Sequence, residues 1–410
     1  MDNKAKTTVL NKFFDSVKTI SKKILYSITI SLPAYFGIQS SANAVDLGAA
    51  DIWGDANTSG QGSITSPNAG MAVDLANHAL TIGNAGATLQ QSIGAIDAGA
   101  GTTANQVLVT QTASQGSLTI SIASIASAVD DLVITSDNAG SAAVTVNITG
   151  TAILADDLLL VGLNTTFAGE SLVLNTTGAI AVGGITVITG IAVTGGAGSN
   201  SVMNISANAT YTGHATMDDA GTGRAILNKV GTAVSIVAGN ISGTGAGEGT
   251  INIVGSGATT FSGTIGATNE MLAINVSSGA TATFSAATDA DTITSAGTLN
   301  LNEVTKTDTL TITAGTTTAD LKTGVISIGG VDGSATTAIT ISDGATLKTT
   351  MASTETASID AVMEGAAAGV GDFTVTSASG AAAGKVVLDG TYGANTVLGA
   401  LQIGSATAGG

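Results

Sequence analysis

The chain has 410 residues, a net charge of -17, 55 glycines and no cysteine; 44% of its residues are hydrophobic and only 10% are charged. Without cysteine there are no disulfides, thiolate metal sites or thiol nucleophiles, and without clustered Lys and Arg there is nothing to neutralise phosphates, which excludes nucleic acid as a partner. Thr, Val, Ile, Ser and Gly dominate while Lys, Glu and Arg are scarce, a balance that favours strands and turns over helices.

Residues 1–44 read as a secretory signal peptide. Six of the 12 basic residues precede position 24. An apolar core runs from Ile24 to Ile38, broken by Pro33, and Ala42-Asn43-Ala44 supplies small residues for cleavage before Val45. The competing reading is an N-terminal membrane anchor, for which this core is short. The mature chain, with 27 of the 29 acids, is more acidic than the whole. Residues 45–71 are polar, hold the only tryptophan, Trp53, and are expected to cap the N-terminal end of a stack of repeats.

From residue 72 to 410 the expected domain is a β-helix. Apolar and polar residues alternate in Leu118-Thr119-Ile120-Ser121-Ile122 and Val144-Thr145-Val146-Asn147-Ile148, as half-buried strands require. Residues 179–193 are apolar enough to suggest a membrane span, but β-branched residues broken by glycines fit buried strands joined by turns. Between Met203 and Leu301 a unit recurs in which asparagine follows a large apolar residue: Met203-Asn204-Ile205, Leu227-Asn228-Lys229, Ile251-Asn252-Ile253, Ile274-Asn275-Val276 and Leu299-Asn300-Leu301. A near-fixed period of about 24 residues means stacked coils, each touching mainly its neighbours. Asn204, Asn228, Asn252, Asn275 and Asn300 are therefore expected to form one hydrogen-bonded ladder along the stack. Looser matches at Leu118-Thr119, Val146-Asn147 and Leu174-Asn175 extend the pattern upstream. Gly257-Ala258-Thr259 leads to Phe261 as Gly279-Ala280-Thr281 leads to Phe284, a second sign of repetition. Residues 361–369 lack alternation and read as a short helix or a loop. The last aromatic is Tyr392 and there are no aromatic girdles, so no outer-membrane barrel is encoded.

With the leader, the Gly/Thr/Asn-rich strands and the run from Ile251 to Phe284, the chain resembles the passenger regions of autotransporters, in particular rickettsial surface cell antigens and S-layer-forming outer-membrane proteins. Thr260-Phe261-Ser262-Gly263-Thr264-Ile265-Gly266 and Ala282-Thr283-Phe284-Ser285 carry the resemblance, which spans roughly residues 200–315. It implies a right-handed parallel β-helix outside the cell, at the cell surface or outer membrane, serving as an adhesin or surface coat. Its partners would be a host-cell surface or neighbouring copies. The missing barrel departs from the family pattern and leaves the mode of attachment open.

Chemistry is sparse. One neighbourhood gathers ionisable groups: Tyr211, His214, Asp218, Asp219 and Arg224, a candidate binding loop between the units at Asn204 and Asn228. A polysaccharide-cleaving β-helix enzyme would need such acids and a base in a groove; read structurally, the same residues form a solvated loop. No cofactor is expected, although Asp130-Asp131 and Asp156-Asp157 could bind calcium weakly. The expectation is a non-enzymatic structural or adhesive surface protein, with a polysaccharide-active lyase or hydrolase as the alternative.

Overall fold

A computed structural model describes residues 44–46, 51–53, 72–74, 80–84, 89–97, 106–111, 118–136, 143–162, 169–190, 199–206, 210–220, 222–232, 235–303, 305–319, 326–328, 339–343, 346–351, 356–360, 363–377, 385–388, 392–393 and 396–405. The expected signal peptide, apart from Ala44, and most of the expected cap lie outside these residues. Within the cap region, Ala44–Asp46 and Asp51–Trp53 are strands, paired in parallel with Ala72–Asp74 and Leu80–Asn84.

The described residues are all-β and form a parallel β-solenoid with about 26 residues per turn. Each coil of the middle region contributes one strand, or half of a bent strand, to each of three faces. The first, the ladder face, is built by Val144–Ile148, Gly169–Thr176, Ser199–Ile205, Ala225–Val230, Thr250–Val254 and Met271–Val276. It continues into the second halves of Thr288–Ser295 and Thr305–Ile312. The second, the threonine face, runs through Ala152–Leu154, the starts of Ile180–Thr189 and Tyr211–Asp218, Ser235–Ala238, Ala258–Phe261, Thr281–Phe284, Thr298–Leu301 and Thr316–Ala319. The third, the acidic face, comprises Asp131–Ser136, Leu158–Gly162, the ends of Ile180–Thr189 and Tyr211–Asp218, and Ile241–Gly243, and continues through Ile265 into the starts of Thr288–Ser295 and Thr305–Ile312.

Alternation drives the assembly. In Val144–Ile148, Val144, Val146 and Ile148 are buried and the residues between them face outward, because successive side chains of a strand point to opposite faces. Stacking the coils joins these inward residues into continuous columns. One column reads Tyr211, Val237, Phe261, Phe284, Leu301. Within it the rings of Phe261 and Phe284 stack with centroids 4.7 Å apart and planes 8° from parallel. Corners are turned by residues such as Gly266, at φ +72°, where a Cβ would sit 2.0 Å from the Asp289 carbonyl oxygen. Only glycine tolerates both the conformation and the contact.

One expectation holds and two change in detail. Residues 180–189 form a strand of the solenoid, as expected, and no described helix is long and apolar enough to cross a membrane. Where a short helix or a loop is expected, Met363–Gly365 is a short strand paired with Ile339–Ile341 and residues 366–369 form a turn. Coil length is also less regular than a 24-residue period, because corners between strands take insertions without disturbing strand pairing.

Candidate functional site

The polar groups that sequence singles out are organised by stacking. Along the ladder face, Asn175 Nδ2 donates to Asn147 Oδ1 at 2.8 Å, Asn204 to Asn175 at 2.7 Å, Asn228 to Asn204 at 2.9 Å, Asn252 to Asn228 at 2.9 Å and Asn275 to Asn252 at 2.9 Å. Each amide between the two ends, from Asn175 to Asn252, gives one hydrogen bond along the column and accepts one. Asn300 is not in it. The coil after Asn275 is short, so Thr294 takes the ladder position opposite Asn275. Asn300 falls on the threonine face, where its Nδ2 donates to Thr283 Oγ1 at 3.1 Å. At the other end Ser121, not Thr119, is the partner of Asn147.

The five residues expected in a binding loop do not form one. Tyr211–Asp218 is a strand, with Ala215 and Met217 buried in the core. Tyr211 is itself a core residue: its hydroxyl donates to Thr186 Oγ1 at 2.8 Å and lies 3.2 Å from the His214 carbonyl oxygen, and burial pushes its phenol up to about 12. His214 is exposed, its Nδ1 accepting the Asn240 N–H at 3.2 Å. His214 and Asp218 face outward on one strand ~13 Å apart, at ~3.3 Å per residue, too far to share a proton. Asp219 is a brace. Its Oδ1 accepts the Ala225 N–H at 2.6 Å and its Oδ2 pairs with Arg224 Nη1 at 3.2 Å. Together they hold the tight reversal in which Gly223 N–H meets the Ala220 carbonyl at 2.9 Å.

Two carboxylate groups are assembled by the coil repeat. At the entry to the acidic face, oxygens of Asp131, Asp156 and Asp157 lie within 4.8 Å of one another. Asp131 Oδ1 accepts the Asp157 N–H at 3.1 Å and Asp157 Oδ1 accepts the Ile185 N–H at 2.8 Å. Burial, ahead of mutual repulsion, pushes the Asp131 and Asp157 carboxyls above the usual range. Gly184 completes the wall, since a Cβ there would lie 2.3 Å from Asp157 Oδ1. These oxygens could share one calcium ion, but they supply only part of the six to eight ligands calcium takes, and two already accept backbone hydrogen bonds.

The second group follows the corner from the acidic face to the ladder face: Asp218, Glu248, Glu270, Asp291 and Asp308. Glu248 Oε2 accepts the Thr244 hydroxyl and the Gly245 N–H, both at 2.6 Å. Asp291 is pushed up to about 6, first by burial and then by Glu270 and Asp308, with Glu270 also sharing a hydrogen bond. Asp218 is raised for the same leading reason, with Glu248 adding repulsion. Asp289 beside it is raised by burial and partly relieved by Lys306 at 3.9 Å. Sequence reasoning missed this seam because its members are about one coil apart; searching for acids at coil spacing would have found Glu248, Glu270, Asp291 and Asp308. Lys229 was also missed as an interior residue. It lines up with Ile205 and Ile253, is 3% exposed, and its Nζ donates to the carbonyls of Val230 at 2.7 Å and Ser206 at 3.3 Å.

No protein-family model, curated protein or solved structure matches the chain.

Proposed function

We propose that the chain is an extracellular structural scaffold, exported by its leader and displayed at or beyond the cell surface. It works by packing against neighbouring copies or by adhering to a host-cell surface, without turnover. The observation that carries this reading is how the outward amides and the candidate residues are used. The asparagines are engaged along the ladder, Tyr211 lies in the core, and Asp219 with Arg224 braces a turn. What such a molecule offers a partner is a long, regular set of faces, which suits repetitive contact better than chemistry on a single bond.

The test is to incubate the purified chain with host cells and, separately, with acidic and neutral polysaccharides. Saturable cell binding or self-association with no release of sugar ends is the expected result. Depolymerisation that is lost on His214→Ala would replace the scaffold by a glycan-active enzyme.

A further inference from the structure

The charges of this solenoid are segregated by face. Between residues 143 and 319, the acids and bases occupy the acidic face or its two corners. The exceptions are Glu170, at the head of a ladder-face strand, and Lys229, whose amine turns inward. The threonine face carries none: Ala152–Leu154, residues 180–182 and 211–212, Ser235–Ala238, Ala258–Phe261, Thr281–Phe284, Thr298–Leu301 and Thr316–Ala319 are uncharged throughout. Its outward positions are mostly threonines, Thr281 in register with Thr298 and Thr260 with Thr283, interspersed with Ala181, Ala238, Ala258 and Asn300. Two isoleucines join them, Ile153 at 39% and Ile236 at 46% exposure. From residue 201 to 302 the turns on both sides of this face are uncharged too, whereas the ladder face is bordered by Glu248, Glu270, Asp291 and Asp308.

We propose that the threonine face is a homotypic interface, on which a second copy of this chain packs face to face. The proposal rests on the scaffold reading and names the surface through which its lateral packing runs. Copies of a chain whose net charge is -17, and more negative still without its lysine-rich leader, repel wherever acids meet; over residues 201–302 this face lets them touch without opposing carboxylates, and outside those bounds Asp156, Asp157 and Glu303 flank it. Threonine methyl groups and the two isoleucines give up water at little cost, and hydroxyls that leave water can pair with hydroxyls of the other copy. A flat sheet with evenly spaced strands is complementary to itself under a two-fold rotation. The eight strands, at ~4.8 Å spacing and ~13 Å across, offer roughly 450 Å² per copy, against about 800 Å² in a standard interface. A single pair is therefore weak, and the contact gains strength where many copies line up.

The chain's lack of cysteine makes a direct test available. Single-cysteine variants of the full chain, Thr260→Cys, Thr283→Cys and Thr298→Cys on the threonine face, are oxidised alongside Thr311→Cys on the ladder face and His214→Cys on the acidic face. Disulfide dimers should form at least tenfold faster from the threonine-face set, and sedimentation of the parent should show reversible association as the chain approaches about 1 mM. Ile236→Lys with Thr283→Glu, whose outward positions leave the core intact, should lower the association constant tenfold or more while circular dichroism stays unchanged. Equal cross-linking from all faces, a parent that sediments as a monomer at every concentration, or undiminished association of the charged variant would each overturn the interface. A monomeric chain that still binds cells would sink the interface and leave the scaffold reading standing. Polysaccharide turnover would sink the scaffold reading itself.

Discussion

The ladder face and the acidic corner beside it are built by the same operation, the stacking of like residues one coil apart, and they respond to it in opposite ways. An amide is donor and acceptor at once, so Asn228 takes a hydrogen from Asn252 and gives one to Asn204. A carboxylate only accepts. When Glu270, Asp291 and Asp308 are brought together, proximity returns as repulsion and shows in the raised carboxyl of Asp291. Register thus multiplies whatever a side chain does with its own kind. Amides gain from repetition and carboxylates lose by it.

The largest effect sets the scale, because the inner column is indifferent to this distinction. Phe284→Ala removes a ring stacked on Phe261 and should cost about 3–5 kcal/mol, read as a lower denaturant midpoint. A ladder mutant that cost more would show that the outer amides, rather than the apolar columns, hold the coils together.

The next substitution turns one stack into the other. Asn252→Asp keeps the acceptor for Asn275 but removes the donor to Asn228 Oδ1. It should cost about 1–3 kcal/mol at neutral pH. Part of the loss should return in acid, where the protonated carboxyl donates again. Equal stability of the variant and the parent at pH 7 would mean that the ladder contributes nothing net.

At the acidic corner the expected effect is smaller and its sign is fixed by linkage. Asp291 holds its proton up to about 6 in the fold, above the ordinary 3.8, so the folded state binds that proton more tightly than the unfolded chain. The stabilisation is complete below about 3.8 and fades as pH rises through about 6. The parent should therefore melt higher at pH 5 than at pH 7, and Asp291→Asn should raise the neutral value and shrink the difference. A corner that melts higher at pH 7 would show that the carboxylates are held by cations or other partners instead.

The smallest change is expected at Lys229. Burial lowers its amine below the ordinary 10.5, so its charge costs stability at neutral pH and the cost falls away as pH rises from the lowered value towards 10.5. Lys229→Ile matches Ile205 and Ile253 in the same column. It removes that charge but leaves two carbonyls to find water, for a net change within about 1 kcal/mol in either direction by thermal melting. Loss of several kcal/mol would identify the ammonium as a structural clamp.

Much of the architecture was legible because a solenoid writes each coil in the same alphabet. Alternation marks inward and outward residues, and the recurrence of Asn204, Asn228, Asn252 and Asn275 marks the coil. Asn300 shows the limit. Leu299-Asn300-Leu301 has the same alternation as the ladder units, and alternation alone does not say which of three faces a strand joins. The short coil between Asn275 and Thr294 shifted the count by a face. The candidate loop at 211–224 misled for a related reason: ionisable residues close in sequence suggested a cluster, while the strand they lie on sends Tyr211 to the interior and His214 to the surface. The acidic corner was hidden by the converse, being close in space and a coil apart in sequence.

The variable coil length has a consequence of its own. Hydrogen-bonded partners on the ladder are 28, 29, 24, 24 and 23 residues apart in sequence, and Asn300 and Thr283 only 17. Yet each coil advances by the same strand spacing, ~4.8 Å, which backbone hydrogen bonds impose. Length and girth are thus independent variables in this molecule. Residues added at a corner thicken the rod or raise a lobe on its flank without moving anything along the axis, while a whole added coil lengthens it by one step without altering its cross-section. A lineage can adjust how far the rod reaches and how broad it is at separate places in the gene.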